Sequence, residues 1–107
     1  MKRQADFPTN SQACLAAEEA HAKFHEAARL FQALSDEARL SILSQLRRRG
    51  EICACDLTDC CGLAQPTVSY HLRVLRESGL VTAHKRGSWV YYRLNEASLR
   101  ALHGLLP

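Results

Sequence analysis

Between Ala54 and Leu94 the chain is punctuated by Gly62, Pro66, Gly79 and Gly87, and the runs between these residues leave few folds open. Ala54 to about Cys60 suits a short helix, and Gly62 stops it. A three-residue turn leads into "QPTVSYHLRVLRESG". There Pro66 stands near a helix start, Val68, Leu72 and Leu75 recur at helical spacing, and Gly79 closes the end. The following "LVTAHKRGSWVYYRL" alternates and is rich in β-branched and aromatic residues, with Gly87 between two such runs, so it reads as a β-hairpin. A short helix, a glycine-containing turn and a second helix form a helix-turn-helix. A hairpin after it, with Lys85 and Arg86 at the tip, stands where a winged helix keeps its wing.

The flanking segments are helical. From Ser11 to Leu34 an apolar stripe runs through Leu15, Phe24, Ala27, Ala28, Phe31 and Leu34. Ser35 and Asp36 are N-cap types that open a second helix to about Arg48, with Ala38, Ile42, Leu43 and Leu46 on its core face and Gly50 ending it. Asn95 caps a last helix carrying Leu99, Leu102 and Leu105. The predicted architecture is mainly α with a β-hairpin wing, in the order α-α-α-α-β-β-α. Residues 1–10, with Pro8, are expected to form a flexible arm and residues 11–107 a single domain. A chain of 107 residues buries only a modest core of its own, and folds of this size often bury the remainder in a dimer. No apolar run follows the basic N-terminal residues and none reaches transmembrane length, so a cytoplasmic location is expected.

Net charge is only +3, but it is unevenly placed. From Gln65 to Arg93 there are five basic residues (Arg73, Arg76, Lys85, Arg86 and Arg93) against one acid, Glu77. Localised positive charge favours an anionic partner such as nucleic acid, although a solvated basic surface accounts for the charge alone equally well. The helix-turn-helix settles the choice. Its second helix enters the major groove with N-terminal residues toward the bases, which places Gln65, Thr67, Ser69 and Tyr70 there, and His71 and Arg73 one turn later. Glutamine pairs with adenine, and the hydroxyls suit phosphates or bases. Lys85 and Arg86 on the wing supply salt-dependent contact with the phosphate backbone or minor groove.

Four of the five cysteines fall within "EICACDLTDCC", residues 51–61. In a reducing cytosol such a cluster points to metal binding or redox sensing rather than structural disulfides. Residues two apart in a regular helix face opposite sides, so Cys53 and Cys55 share an ion only if Cys53 lies just outside the helix and turns back. A helix N-terminus is also expected to lower a thiol pKa. Cys60 lies about 7.5 Å along the helix axis from Cys55, whereas two sulfurs on one ion are at most ~4.6 Å apart. Cys61 follows Leu57 by four residues, as a small buried hydrophobe would. Cys60 and Cys61 are therefore secondary candidates, as a vicinal pair. The histidines at 21, 25, 71, 84 and 103 form no tight ligand motif; His21 and His25 share a helical face and read as surface residues.

"ALSDEARLSIL", "CACDLTDCCGLAQPTVSYHLRVLRESGLV" and "RGSWVYYRL" together resemble the ArsR/SmtB family of metal-responsive winged-helix repressors, of the arsenic-sensing, actinobacterial-like type. The resemblance runs roughly from Ala27 to Leu106. It implies a homodimer formed by the first and last helices, a roughly palindromic double-stranded operator, and release from it when a metal or metalloid binds. It assigns the Cys-x-Cys at Cys53 and Cys55 to the ligand set. In one arsenic-sensing branch a third cysteine follows three residues after the second; here that residue is Thr58. Other branches bring in an N-terminal cysteine from the partner subunit, which implies Cys14. Ala64 departs from the family, which often has a serine able to cap the recognition helix.

Three thiolates suit As(III) or Sb(III) as inducer, with Cd(II), Pb(II) or Zn(II) as alternatives. A thiol redox or persulfide sensor on the same fold is the nearest rival. A thiol enzyme of arsenic handling is a distant one, because the chain has neither a phosphate-cradling glycine loop nor a cysteine–histidine arrangement.

Overall fold

Helix boundaries follow from local donors and acceptors. The computed structural model describes residues 11–105 and, within them, all side chains except those of residues 11–16, 20, 23, 60 and 61. The expected arm at residues 1–10 lies outside the described residues. Helix α1 spans Ser11–Leu34 and α2 spans Glu37–Arg49. Asp36 caps α2, its Oδ2 accepting from the Arg39 backbone N–H at 3.1 Å. That bond lowers the Asp36 pKa below the ordinary carboxylate value, as do the nearby His71 and Arg39. Gly50 ends α2 at φ 84°, its N–H returning to the Leu46 carbonyl at 2.8 Å.

Strand β1 (Glu51–Cys53) follows, then α3 (Ala54–Cys61), α4 (Gln65–Glu77), the hairpin strands β2 (Val81–Arg86) and β3 (Trp89–Leu94), and α5 (Glu96–Leu105). The helix-turn-helix is α3–α4, and the wing is β2–β3. β1 corrects the expected order α-α-α-α-β-β-α by adding a strand between α2 and α3. Three residues are too few for an alternating pattern to register. The strand forms because β3 offers it an open edge. Glu51 pairs with Arg93, Ile52 with Tyr92 and Cys53 with Tyr91, all antiparallel, giving a three-stranded sheet of order β1-β3-β2.

One core unites these parts. Its most deeply buried large side chains are Ile42 and Leu46 (α2), Ile52 (β1), Leu57 (α3), Val68 and Leu75 (α4), Leu80 and Val81. Each such aliphatic side chain contributes roughly 1.5–3 kcal/mol by leaving water. The junction from α4 to the wing is tied to α5: the Gly79 carbonyl accepts from Asn95 Nδ2 at 2.9 Å and Ser98 Oγ at 2.8 Å, while Asn95 Oδ1 accepts from the Ala97 N–H at 3.2 Å.

The predicted face of α1 is rotated. Ala27, Leu30 and Ala33 are buried, whereas Phe24 is 61% and Phe31 41% exposed. α1 meets the rest of this chain along small residues and presents its aromatic residues outward.

Candidate DNA-binding face and thiol site

On α4, Val68, Leu72 and Leu75 point into the core, and Gln65, Thr67, Ser69, Tyr70 and Arg73 are exposed. Pro66 starts the helix, and Ala64 at the N-cap offers no side-chain acceptor. The Arg73 guanidinium lies 6.0 Å from the Tyr70 ring centroid, so aromatic and cation share one exposed patch.

His71 does not join this patch. It is 8% exposed, and its ring turns toward α2. Nδ1 lies 3.2 Å from Arg39 Nη1, and Nε2 lies 3.9 Å from Asp36 Oδ2. Arginine only donates, so a hydrogen bond between these two atoms has Nδ1 as its acceptor. Position 71 falls three residues after Val68 and four before Leu75, which puts it on the core face. Arg39, which the sequence reading missed, also donates from Nε to the Ala33 carbonyl at 2.7 Å. It thereby links the end of α1 to the recognition helix.

Lys85 and Arg86 are exposed on the wing, where Gly87 turns the hairpin at φ 60°. Arg86 does not project freely. Its guanidinium lies 4.1 Å from the Tyr91 ring centroid and is ion-paired with Glu51. Glu51 Oε2 also accepts from Arg93 Nε at 2.7 Å. Hydrogen bonds from Arg86 first and Arg93 second hold the Glu51 carboxyl below its ordinary pKa. No local signal marks Glu51, because its partners are 35 and 42 residues away.

The thiols sit at the other end of β1. Cys53 is the N-cap of α3, in extended conformation with φ −71° and ψ 144°, and Cys55 lies in the first turn. The chain turns back as the shared-ion arrangement requires, and the two Sγ atoms are 3.0 Å apart. That is inside the ~4.6 Å limit for two sulfurs on one ion. Cys53 is buried and Cys55 exposed, and both are free thiols. The Cys55 pKa is raised rather than lowered: its Sγ donates to Cys53, and partial desolvation acts the same way. This corrects the expected effect of the helix N-terminus. The side chains of Cys14, Cys60 and Cys61 lie outside the described residues. Among the described residues no cluster of three or more metal-ligating side chains is assembled. The pair on its own fits two positions around a thiophilic ion.

Residues 36–83 match the family described as bacterial regulatory protein, arsR family. An arsenical resistance operon repressor of Bacillus subtilis (strain 168) is 42% identical over 72 residues, covering 67% of this chain and 69% of the relative. One from Escherichia coli (strain K12) is 50% identical over 66 residues, covering 62% of this chain and 56% of the relative. A cadmium resistance transcriptional regulatory protein CadC homolog from Staphylococcus aureus is 36% identical over 77 residues, covering 72% of this chain and 67% of the relative. Among solved structures, an ArsR-like transcriptional regulator from Rhodococcus sp. RHA1 superposes with a TM-score of 0.72 at 32% identity, over 78% of this chain and 77% of that one. The homodimeric winged helix-turn-helix DNA-binding domain Mb0332 from Mycobacterium bovis gives 0.68 at 28% identity, over 94% and 85%. None of the described helices is long and apolar enough to cross a membrane. By this match and these identities, the chain belongs to the arsR family of bacterial regulatory proteins, which are transcriptional regulators and not enzymes.

Proposed function

We propose that this chain is a repressor that holds operator DNA as a homodimer and leaves it when As(III) or Sb(III) binds the thiolates of Cys53, Cys55 and Cys14 of the partner subunit. The observation that carries the reading is the 3.0 Å separation of the Cys53 and Cys55 sulfurs at the head of α3, the first helix of the helix-turn-helix. An ion placed there acts on the element that leads into the recognition helix. Gln65, Thr67, Ser69, Tyr70 and Arg73 are the proposed contacts to base edges and phosphates, with Lys85 and Arg86 reaching the backbone beside them. The names of the arsenical resistance repressors support arsenic as the inducer, and the cadmium resistance relative supports Cd(II) as a second reading.

Release demands that the ion bind the DNA-free form more tightly than the DNA-bound form. Drawing Cys14 of the partner subunit onto the pair tethers α3 to a neighbouring helix and changes the spacing or mobility of the two recognition helices, which meet the grooves about one turn apart.

The test is fluorescence anisotropy of the reduced protein on its own promoter DNA, titrated with arsenite, antimonite, cadmium, lead and zinc. Arsenite is expected to weaken binding by about a thousandfold, a coupling of about 4 kcal/mol that exceeds the usual range of about 1–3 kcal/mol. Both Cys14→Ser and the Cys53→Ser/Cys55→Ser double variant are expected to abolish the response. A normal response from Cys14→Ser removes that residue from the ligand set. Release by oxidant but by no ion replaces the metal reading with a redox sensor.

A further inference from the structure

One carboxylate sits among the wing's cations, and it holds them in two different ways. Arg93 is the direct cross-strand neighbour of Glu51, so backbone register keeps the pair together. Arg86 ends β2, the opposite edge strand of the sheet. In register Arg86 stands opposite Trp89 and Glu51 opposite Arg93, so the Arg86 side chain runs diagonally across the middle strand to reach Glu51 on β1. It does so by passing over the Tyr91 ring of the middle strand. A wing-tip arginine is thus folded back along the solvent-exposed face of its own sheet rather than extended from the tip.

We propose that Glu51 competes with the DNA backbone for Arg86 and so sets how tightly the wing grips DNA, an inference that rests on the DNA-binding reading above. A carboxylate and a phosphate both offer acceptor oxygens to a guanidinium, so Glu51 and a phosphate compete for where the Arg86 side chain lies. The exchange is easy. The Arg86 side chain is 55% exposed, and exposed ion pairs are weak. Glu51 is not stranded when Arg86 leaves, because Arg93 remains bonded to its other oxygen. Before the exchange, the single charge of Glu51 is shared between Arg86 and Arg93; afterwards Arg86 is free to meet a phosphate while Glu51 stays with Arg93.

The test uses the full chain and a fluorescein-labelled mixed-sequence duplex about three helical turns long, since the backbone term does not depend on sequence. Anisotropy is measured across a range of salt concentrations. Glu51→Gln is expected to tighten binding by about two- to fivefold per protomer at low salt, the range of one exposed ion pair. It should also steepen the slope of log affinity against log salt by about 0.9 per protomer, the value for one added phosphate contact. In an Arg86→Ala background the same substitution is expected to do nothing. Glu51→Asp, one methylene shorter, keeps the charge and the Arg93 neighbour while drawing away from Arg86, and is expected to fall between wild type and Glu51→Gln. It serves as the test if Glu51→Gln does not fold. Unchanged or weaker binding by the folded variants overturns the proposal and leaves the clasp as a stiffener of the wing. A gain that persists without Arg86 also overturns it, in favour of a general loss of negative charge. If the wild-type chain binds no duplex at any salt, the DNA-binding reading itself falls and takes the proposal with it.

Discussion

Two cysteines separated by one residue are joined here by a hydrogen bond. Cys55 donates to Cys53, so removing the Cys55 proton breaks that bond, and its pKa stands above the ordinary thiol value. Soft cations bind thiolates, so a cation must expel this proton. Below the raised pKa the thiol is protonated and opposes binding; above it the penalty disappears. Apparent cadmium affinity is therefore expected to rise with pH through the neutral range and to level off once Cys55 ionises. Calorimetry in two buffers of different ionisation heat is expected to count at least one proton released per ion. A flat pH profile would show that Cys55 is not a ligand. Arsenous acid carries its own hydroxides, and each thiol proton leaves with one of them as water, so its profile is expected to be the shallower of the two. At this scale the sequence was partly legible. Helix periodicity made the turn-back of Cys53 the condition for sharing an ion, but the sign of the Cys55 shift was not legible, because it depends on which atom the thiol faces. His71 was legible and misread. Its spacing from Val68 and Leu75 already placed it inward, and only the attraction of a polar residue on a recognition helix suggested otherwise.

The elements were set by caps, glycines and apolar spacing, and most of their bounds were readable from these. The recognition helix retains one local defect. Ala64 occupies the N-cap of α4 at φ −66° and ψ 149°, a conformation suited to a capping side chain, yet supplies none. Ala64→Ser is expected to stabilise the fold by about 1 kcal/mol, raising the melting temperature by roughly 4–8 °C for a domain of this size. Thermal unfolding followed by circular dichroism checks this, and no increase would mean that the exposed N–H groups are already satisfied. β1 was the element that could not be read. Its three residues carry no periodic signal, and their conformation is decided by β3, about forty residues later. Through this strand Cys53 at one end and Glu51 at the other belong to the wing's sheet, although in sequence they seem to belong to the helix-turn-helix.

For the molecule as a whole, α1 and α5 enclose an open groove of about 660 Å³ lined by Ala27, Leu30, Ala97, Ala101 and Leu105. Beside it Phe24 and Phe31 face solvent. Two exposed phenylalanines on one helix make an apolar face that asks for a partner, and a homodimeric domain is among the structural neighbours. On the proposed homodimer, Phe31→Glu is expected to shift the chain to monomer in sedimentation equilibrium and, by separating the two recognition helices, to weaken the proposed operator binding by at least about tenfold. Its circular dichroism spectrum should be unchanged, since Phe31 contributes little to the core. A dimer that survives the substitution would place the interface elsewhere.

Local chemistry determined most of the elements from the sequence alone. Asp36, Gly50, Gly62, Pro66, Gly79 and Gly87 mark starts and stops, and helical or alternating spacing identifies what lies between them. The resemblance in the helix-turn-helix and wing then indicated the family. Tertiary structure decided what those elements do to one another: that Glu51 meets Arg86 and Arg93, that His71 meets Arg39, that Cys55 donates a hydrogen bond to Cys53, and that α1 turns its aromatic side outward. The physical reason is range. Caps and periodicity act within a turn or two of chain, whereas an ion pair or a buried ring depends on which distant segment the core places beside it.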